Sequence, residues 1–231
     1  MIYIREKAKR GYADHVWLQT WHSFSFADYY DPNFMGFSVL RVINEDTVKS
    51  GEGFGTHPHK DMEILTYVMK GVVEHKDSMG NVERVTAGEF QVMSAGTGVR
   101  HSEYSVDPDS EAHFYQIWII PEKTGITPRY EQRTFDALNG KQLVLSPDET
   151  EGSLKVYQDM KLWRWALAKG QKETYNNHDD RKIWIQVVRG AVKINDKVAT
   201  TSDGVAIWDE NSFTIEATED SEILLFDMPN R

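Results

Sequence analysis

The chain has 231 residues, 40% of them hydrophobic and 27% charged, with 16 Gly and 7 Pro; these globular proportions exclude disordered, collagen-like and coiled-coil architectures. It has no cysteine, which excludes a disulfide framework, a thiolate zinc site, an iron–sulfur cluster and a cysteine nucleophile, so any metal must be held by nitrogen and oxygen. A formal charge of −10 with no local basic patch argues against direct contact with nucleic acid, and no apolar run approaches the roughly 20 residues that cross a bilayer.

In chain order, Arg5, Lys7, Lys9 and Arg10 are followed by no apolar run, so no signal peptide is read there. The expectation is a soluble cytoplasmic protein with a small-molecule ligand or a protein partner. Short apolar runs then alternate with turn signals about every 8 to 12 residues, the punctuation of an all-β protein. Ile64 to Met69 reads as a strand that stops at Gly71, and Val72 to His75 as the next. Asp77 to Asn81 is a turn cluster, Val82 to Thr86 returns, and Ala87-Gly88 turns the chain into a strand from Glu89 to Met93. His113 to Ile120 is a long strand ending before Pro121. The residues between Ile120 and Leu145 read as the linker, with one or two helical turns over Glu131 to Leu138.

The second half repeats this plan. Ile183 to Gly190 resembles Ile64 to Gly71, Ala191 to Ile194 follows as Val72 to His75 did, and Asp203 to Trp208 matches Ala87 to Val92. Ile223 to Met228 closes the half as His113 to Ile120 closed the first. Two similar β units imply a duplicated barrel. The expected fold is therefore all-β, two antiparallel barrels packed together, with domains at 1–135 and 136–231.

His57-Pro58-His59 is the first chemical candidate, because residues i and i+2 on a strand share a face and two imidazoles on one face can bind one metal. His101-Ser102-Glu103 supplies a second such pair. If the two strands are antiparallel in one barrel, the four side chains converge. Three imidazoles and a carboxylate leave coordination positions open, as catalytic sites do. The donor set suits Fe(II), Mn(II), Co(II), Ni(II), Cu(II) or Zn(II). Glu63 is a rival ligand, since its even spacing from His57 and His59 points it inward on an unbulged strand. The bland reading of the three histidines is backbone-bonded loop or core imidazoles.

The same residues resemble a known family. Gly51, His57, His59, Glu63 and Gly71 are similar to a first cupin motif, and Gly88, Gly96 and His101 to a second. Ser94 stands where proline is usual, and Glu103 takes the place of the usual Asn after His101. With the run Trp21 to Pro32, this pattern resembles the pirins, a bicupin family. The resemblance implies a metal held by His57, His59, His101 and Glu103, with Glu63 outside the ligand set and orienting an imidazole. It implies one divalent metal, iron(II) taken first, and quercetin 2,3-dioxygenase activity. In that reaction a flavonol and O2 are substrates, carbon monoxide is released, and Glu103 takes the proton. Two alternatives stand beside it. One is a metal- or redox-sensing protein that binds a regulatory partner without turnover; the other is a metal-dependent isomerase or decarboxylase.

Gly190 aligned on Gly71 places Asn176 and His178 opposite His57 and His59, and Gly204 aligned on Gly88 places Ala217 opposite His101. The second barrel thus reads as a scaffold or a separate surface. His22 reads as a core histidine on one face with Phe24 and Phe26; His15, His75, His113 and His178 read as structural or surface residues. The seven tryptophans read as core or interface packing.

Overall fold

The structure is a computed structural model and describes residues 1–135, 140–177 and 180–231. Its first half carries β1 (Ile2–Arg5), β2 (Gly11–Asp14), β3 (Leu18–His22), β4 (Leu40–Val48), β5 (Gly53–His59), β6 (Glu63–Lys70), β7 (Val72–Asp77), β8 (Val82–Thr86), β9 (Glu89–Ser94), β10 (Val99–Ser105), β11 (Ala112–Ile119) and β12 (Arg129–Thr134). The second carries β13 (Lys141–Ser146), β14 (Leu154–Lys155), β15 (Lys161–Leu167), β16 (Lys172–Asn176), β17 (Lys182–Arg189), β18 (Ala191–Ile194), β19 (Lys197–Thr200), β20 (Gly204–Ile207), β21 (Ser212–Ala217) and β22 (Ser221–Met228).

The strands form two jelly-roll sandwiches, each a seven-stranded sheet over a four-stranded one. In the first, β12-β9-β6-β11-β4-β3-β2 lies over β5-β10-β7-β8; in the second, β1-β20-β17-β22-β15-β13-β14 lies over β16-β21-β18-β19. The expected barrels are thus pairs of facing sheets rather than closed cylinders. The duplication is visible strand by strand, since β9-β6-β11-β4 and β20-β17-β22-β15 occupy matching places. Gly71 and Gly190 repeat it in detail. Both have positive φ, 75° and 82°, and at each a Cβ would meet a carbonyl oxygen at about 2.5 Å, that of Glu111 or Asp220. Only glycine makes that turn cheaply.

Two strands depart from the plan. β1 leaves its own half and pairs antiparallel with β20, Ile2 opposite Ile207. The expected linker also contains structure, because Arg129–Thr134 is an edge strand on β9 and β13 begins at Lys141. Glu131 to Thr134 is therefore strand rather than helix; Asp136 to Leu138 lie outside the described residues.

Strand alternation sorts the core into layers. On β6, Leu65 and Tyr67 join β11 residues Tyr115 and Ile117 and β22 residues Leu224 and Phe226 in one apolar cluster between the two large sheets. The second sandwich is filled by an unbroken cluster that includes Ile183, Ile185, Val192, Phe213 and Ile215. The first sandwich is filled differently. Its interior apolar residues form two smaller clusters, one around Val48, Val68 and Phe114 and one around Ile64, Met93 and Val99. Thr66, Gln91, Gln116, Asn44 and Asp46 share the inward parity and are all buried. One sandwich therefore has an oily interior and the other a polar chamber.

Candidate metal centre

The chamber is closed by β5 and β10, which run antiparallel with His101 opposite His57. Pro58 is tolerated because β5 is the sheet edge, where its missing N–H breaks no ladder. The register slips between His101 and Glu103. The slip places Glu103 opposite Phe54, and both His101 and Glu103 are buried, at 2% exposure each. The ring centroids of His57, His59 and His101 are 4.5–4.9 Å apart, and one nitrogen from each lies within 4.8 Å of the others. His59 also meets Trp118 edge-on at 4.9 Å.

His57 Nδ1 is 2.8 Å from the Gly55 carbonyl oxygen. A carbonyl only accepts, so Nδ1 carries the proton and Nε2 is left with its lone pair. His101 Nε2 is buried with no hydrogen-bond partner, a costly arrangement unless another ligand takes that lone pair. Burial and the neighbouring imidazoles push His59 down to about 4 and His101 down to about 3, so both rings are neutral near pH 7, the form that ligates metal. Three converging imidazoles, two of them held neutral by burial, with an unpartnered buried nitrogen, fit a divalent cation.

Glu103 falls in a second cluster, with His101 and His75. Its Oε1 accepts from Gln91 Nε2 at 2.7 Å and Thr66 Oγ1 at 3.2 Å, and its Oε2 from Gln116 Nε2 at 2.6 Å. Gln91 Oε1 in turn accepts from Tyr130 Oη at 2.8 Å. Because the carboxylate only accepts, the amide nitrogen of Gln91 is the end that faces it.

Glu63 is not in the chamber. The strand breaks after His59 at a turn where Asp61 has φ 48°, which resets the alternation. Glu63 then shares the parity of Leu65 and Tyr67, and its Oε2 accepts from Ser94 Oγ at 2.9 Å and the Tyr157 amide at 3.3 Å. Among the described residues it orients no imidazole.

Several residues reach the site without a local signal. A cavity of about 60 Å³ is lined by Phe26, Asn44, Asp46, Phe54 and Trp118 together with His57, His59, His101, Glu103 and Gln116. Asp46 is buried, with Oδ1 unpartnered, and burial, with the charge of Glu103 beside it, pushes its carboxyl up to about 7. The clue in the sequence is the polar run Asn44-Glu45-Asp46 directly after the apolar Val42-Ile43 in the middle of β4. His22, buried as expected, bonds Asn44 Oδ1 at 2.8 Å. It does not share a face with both phenylalanines, because β3 ends at His22; Phe24 joins the inter-sandwich core and Phe26 the cavity. Trp118, expected as packing, is a cavity wall. His75 is fully buried against His101.

In the second sandwich Ala217 pairs with Val192 as Ser105 pairs with Val73, so Phe213, opposite Tyr175, holds the place that His101 holds opposite His57. Ala217 lies at the far end of β21, so the alignment through Gly204 misplaced the equivalent residue. His178 lies outside the described residues. Among the described residues, both clusters dense enough for a metal are in the first sandwich, and no helix is long and apolar enough to cross a membrane.

Comparison with known proteins gives the same picture. The pirin family model matches residues 4–119, and the quercetinase C-terminal cupin domain model matches residues 143–228. Quercetin 2,3-dioxygenase of Escherichia coli K12 is 65% identical over 229 residues, covering 99% of both chains. A pirin-like protein of Caulobacter vibrioides is 40% identical over 95% of this chain and 96% of its own. The crystal structure of the E. coli bacterial pirin YhhW in complex with nickel(II) superposes with a TM-score of 0.98 at 64% identity, covering all of both chains. A jelly-roll pair, a three-histidine cluster in the first member, and matches spanning nearly the full length lead to one conclusion: the chain belongs to the pirin family.

Proposed function

We propose that this chain is a metal-dependent dioxygenase that cleaves flavonols such as quercetin with O2, opening the central ring and releasing carbon monoxide. The observation that carries the reading is the convergence of His57, His59 and His101, with His101 Nε2 buried and unpartnered. We assign the metal to these three imidazoles and Glu103. The E. coli neighbour that binds nickel(II) at 64% identity and the E. coli relative named quercetin 2,3-dioxygenase support the assignment.

A divalent metal bound here supplies the Lewis acidity that helps a coordinated hydroxyl to ionise. This chain's residues do the rest. Glu103 takes the flavonol 3-hydroxyl proton, held in place by Gln91, Gln116 and Thr66. Asp46, pushed up to about 7, still holds its proton about half the time at neutral pH, so the chamber carries less than a second full negative charge. Phe26, Phe54 and Trp118 form the apolar wall of the cavity beside the donors, against which the substrate rings would rest. The donors suit several first-row metals; iron(II) remains our first choice, and loading with each metal tests it. We also read residues 1–135 and 136–231 as the two cupin domains, the first active and the second a scaffold, in a cytoplasmic protein.

The test is oxygen uptake with quercetin on protein of measured metal content, beside His101→Ala. Uptake in proportion to metal, with carbon monoxide released and both metal and activity lost in the variant, is the expected result. No uptake across the iron, manganese, cobalt, nickel and copper forms overturns the dioxygenase reading and favours metal-dependent binding of a regulatory partner.

A further inference from the structure

His101 presents an unpartnered Nε2 because something holds its other nitrogen. That nitrogen, Nδ1, lies 3.4 Å from Nδ1 of His75. His75 Nε2 lies 3.1 Å from Asp77 Oδ2, and the His75 ring is stacked on Tyr130 with centroids 4.5 Å apart. The side chains of His75 and Asp77 are both fully buried. Asp77 is itself clamped by the turn that follows β7. Its Oδ1 accepts from the amides of Met79 and Asn81, at 2.9 and 3.1 Å, and its Oδ2 from Asn81 Nδ2 at 2.7 Å. The residues between His75 and His101 are brought together by the β7–β10 ladder, where Glu103 stands opposite His75 and His101 opposite Asp77.

We infer that Asp77, acting through His75, sets the tautomer of His101 and so presents Nε2 to the metal. This rests on the metal-site reading above. A carboxylate oxygen only accepts, so His75 carries a proton on Nε2. Its Nδ1 faces His101 Nδ1, and the pair can hold only one proton between them; placed on His75, that proton would leave His101 protonated at Nε2, a buried position with no acceptor, so His75 accepts. His101 must therefore donate from Nδ1, which leaves Nε2 unprotonated. The bond directions in the chain follow from the carboxylate at one end and the buried nitrogen at the other. Metal-bound imidazoles are commonly oriented by a single carboxylate or carbonyl on the other nitrogen, as Gly55 does for His57. At His101 the orienting carboxylate stands one imidazole further away. Asp77 and His75 are positioning residues and need no contact with substrate.

The variant that inverts the chain is Asp77→Asn. It keeps the turn-capping oxygen and replaces an acceptor with an amide that can donate to His75 Nε2. His75 would then protonate Nδ1, His101 would accept there, and its proton would move to Nε2, blocking the lone pair. The expected result is a 10- to 100-fold loss of metal affinity by chelator competition, with the fold retained by circular dichroism. Two further measurements keep the test decisive. Nitrogen-15 NMR of metal-free wild-type protein reads the tautomer directly, with Nε2 of His101 expected unprotonated and Nε2 of His75 protonated. Asn81→Ala loosens the turn but leaves the carboxylate, and should cost stability with little change in affinity. Wild-type affinity in Asp77→Asn, or a proton on His101 Nε2 in the metal-free protein, overturns the inference. If His101→Ala keeps the metal, the site reading itself has failed, a distinguishable outcome.

Discussion

Asp46 and Glu45 are neighbours on β4 with opposite electrostatic fates. Asp46 faces the chamber, where burial and Glu103 push its carboxyl from 3.8 to about 7. The folded state then binds more protons than the unfolded chain between those values, so stability falls as pH rises through the window. Asparagine mimics the protonated acid and does not titrate. Metal-free Asp46→Asn should match the wild type near pH 4 and exceed it by roughly 2–4 kcal/mol at pH 8, read from thermal melts at the two pH values. A pH-independent difference would show that Asp46 is not held in its acid form. The residues of the site differ in how far they can be read from the sequence. The pairs His57/His59 and His101/Glu103 are legible because strand alternation is local. Asp46, Thr66, Gln91 and Gln116 are single polar residues on separate strands, and only the pairing of those strands gathers them.

At the scale of elements, the β5–β10 contact decides whether the donors meet. Gly53 lies against β10, and a Cβ there would come within 2.3 Å of the Glu103 carbonyl oxygen and 2.6 Å of Tyr104 Cα. Both are backbone atoms on the strand that carries the ligands, so they cannot give way by a rotamer change. Gly53→Ala should cost about 1–3 kcal/mol by overpacking and weaken metal binding together with stability. Chelator competition and a thermal melt on one sample would show it; a normal melt with normal affinity would mean that β5 moves freely relative to β10. The strands that the sequence conceals have physical reasons for doing so. Arg129–Thr134 is an edge strand whose residues are mostly polar and half-buried, so the alternation that marks Ile64 to Met69 is missing. The turn at Asp61 undoes the parity argument for Glu63, because alternation cannot be counted across a break in the strand.

Across the whole molecule the two sandwiches are joined by more than the apolar layer. Glu45, facing away from the chamber, accepts from Arg10 Nη1 at 2.9 Å, His113 Nε2 at 3.2 Å and Ser202 Oγ at 2.8 Å; Arg10 also donates to the Ser202 carbonyl at 2.8 Å. Burial pushes Glu45 up, but the His113 and Arg10 contacts and the Ser202 bond win and hold it down to about 2. A depressed carboxyl contributes stability above its unfolded value of 4.5, and that contribution is lost as pH falls toward 2. Glu45→Gln should therefore cost on the order of 3 kcal/mol at pH 6, with the gap closing by about pH 2.5, as urea titrations at each pH would report. A gap that persists in acid would place the cost in packing instead. The duplicated plan of the two halves is readable from Ile64–Gly71 and Ile183–Gly190. The exchange of β1 is not, because nothing local to Ile2–Arg5 records that its partner is Gly204–Ile207.

That exchange has a consequence for the order of events on the ribosome. β1 pairs with a strand made about 200 residues later, which at 5–20 residues per second is a wait of roughly 10–40 s. During that interval the metal-binding half is already synthesised, and its sheet does not use β1. The chamber can close while β1 is still free, and β1 is placed only once β20 has left the exit tunnel.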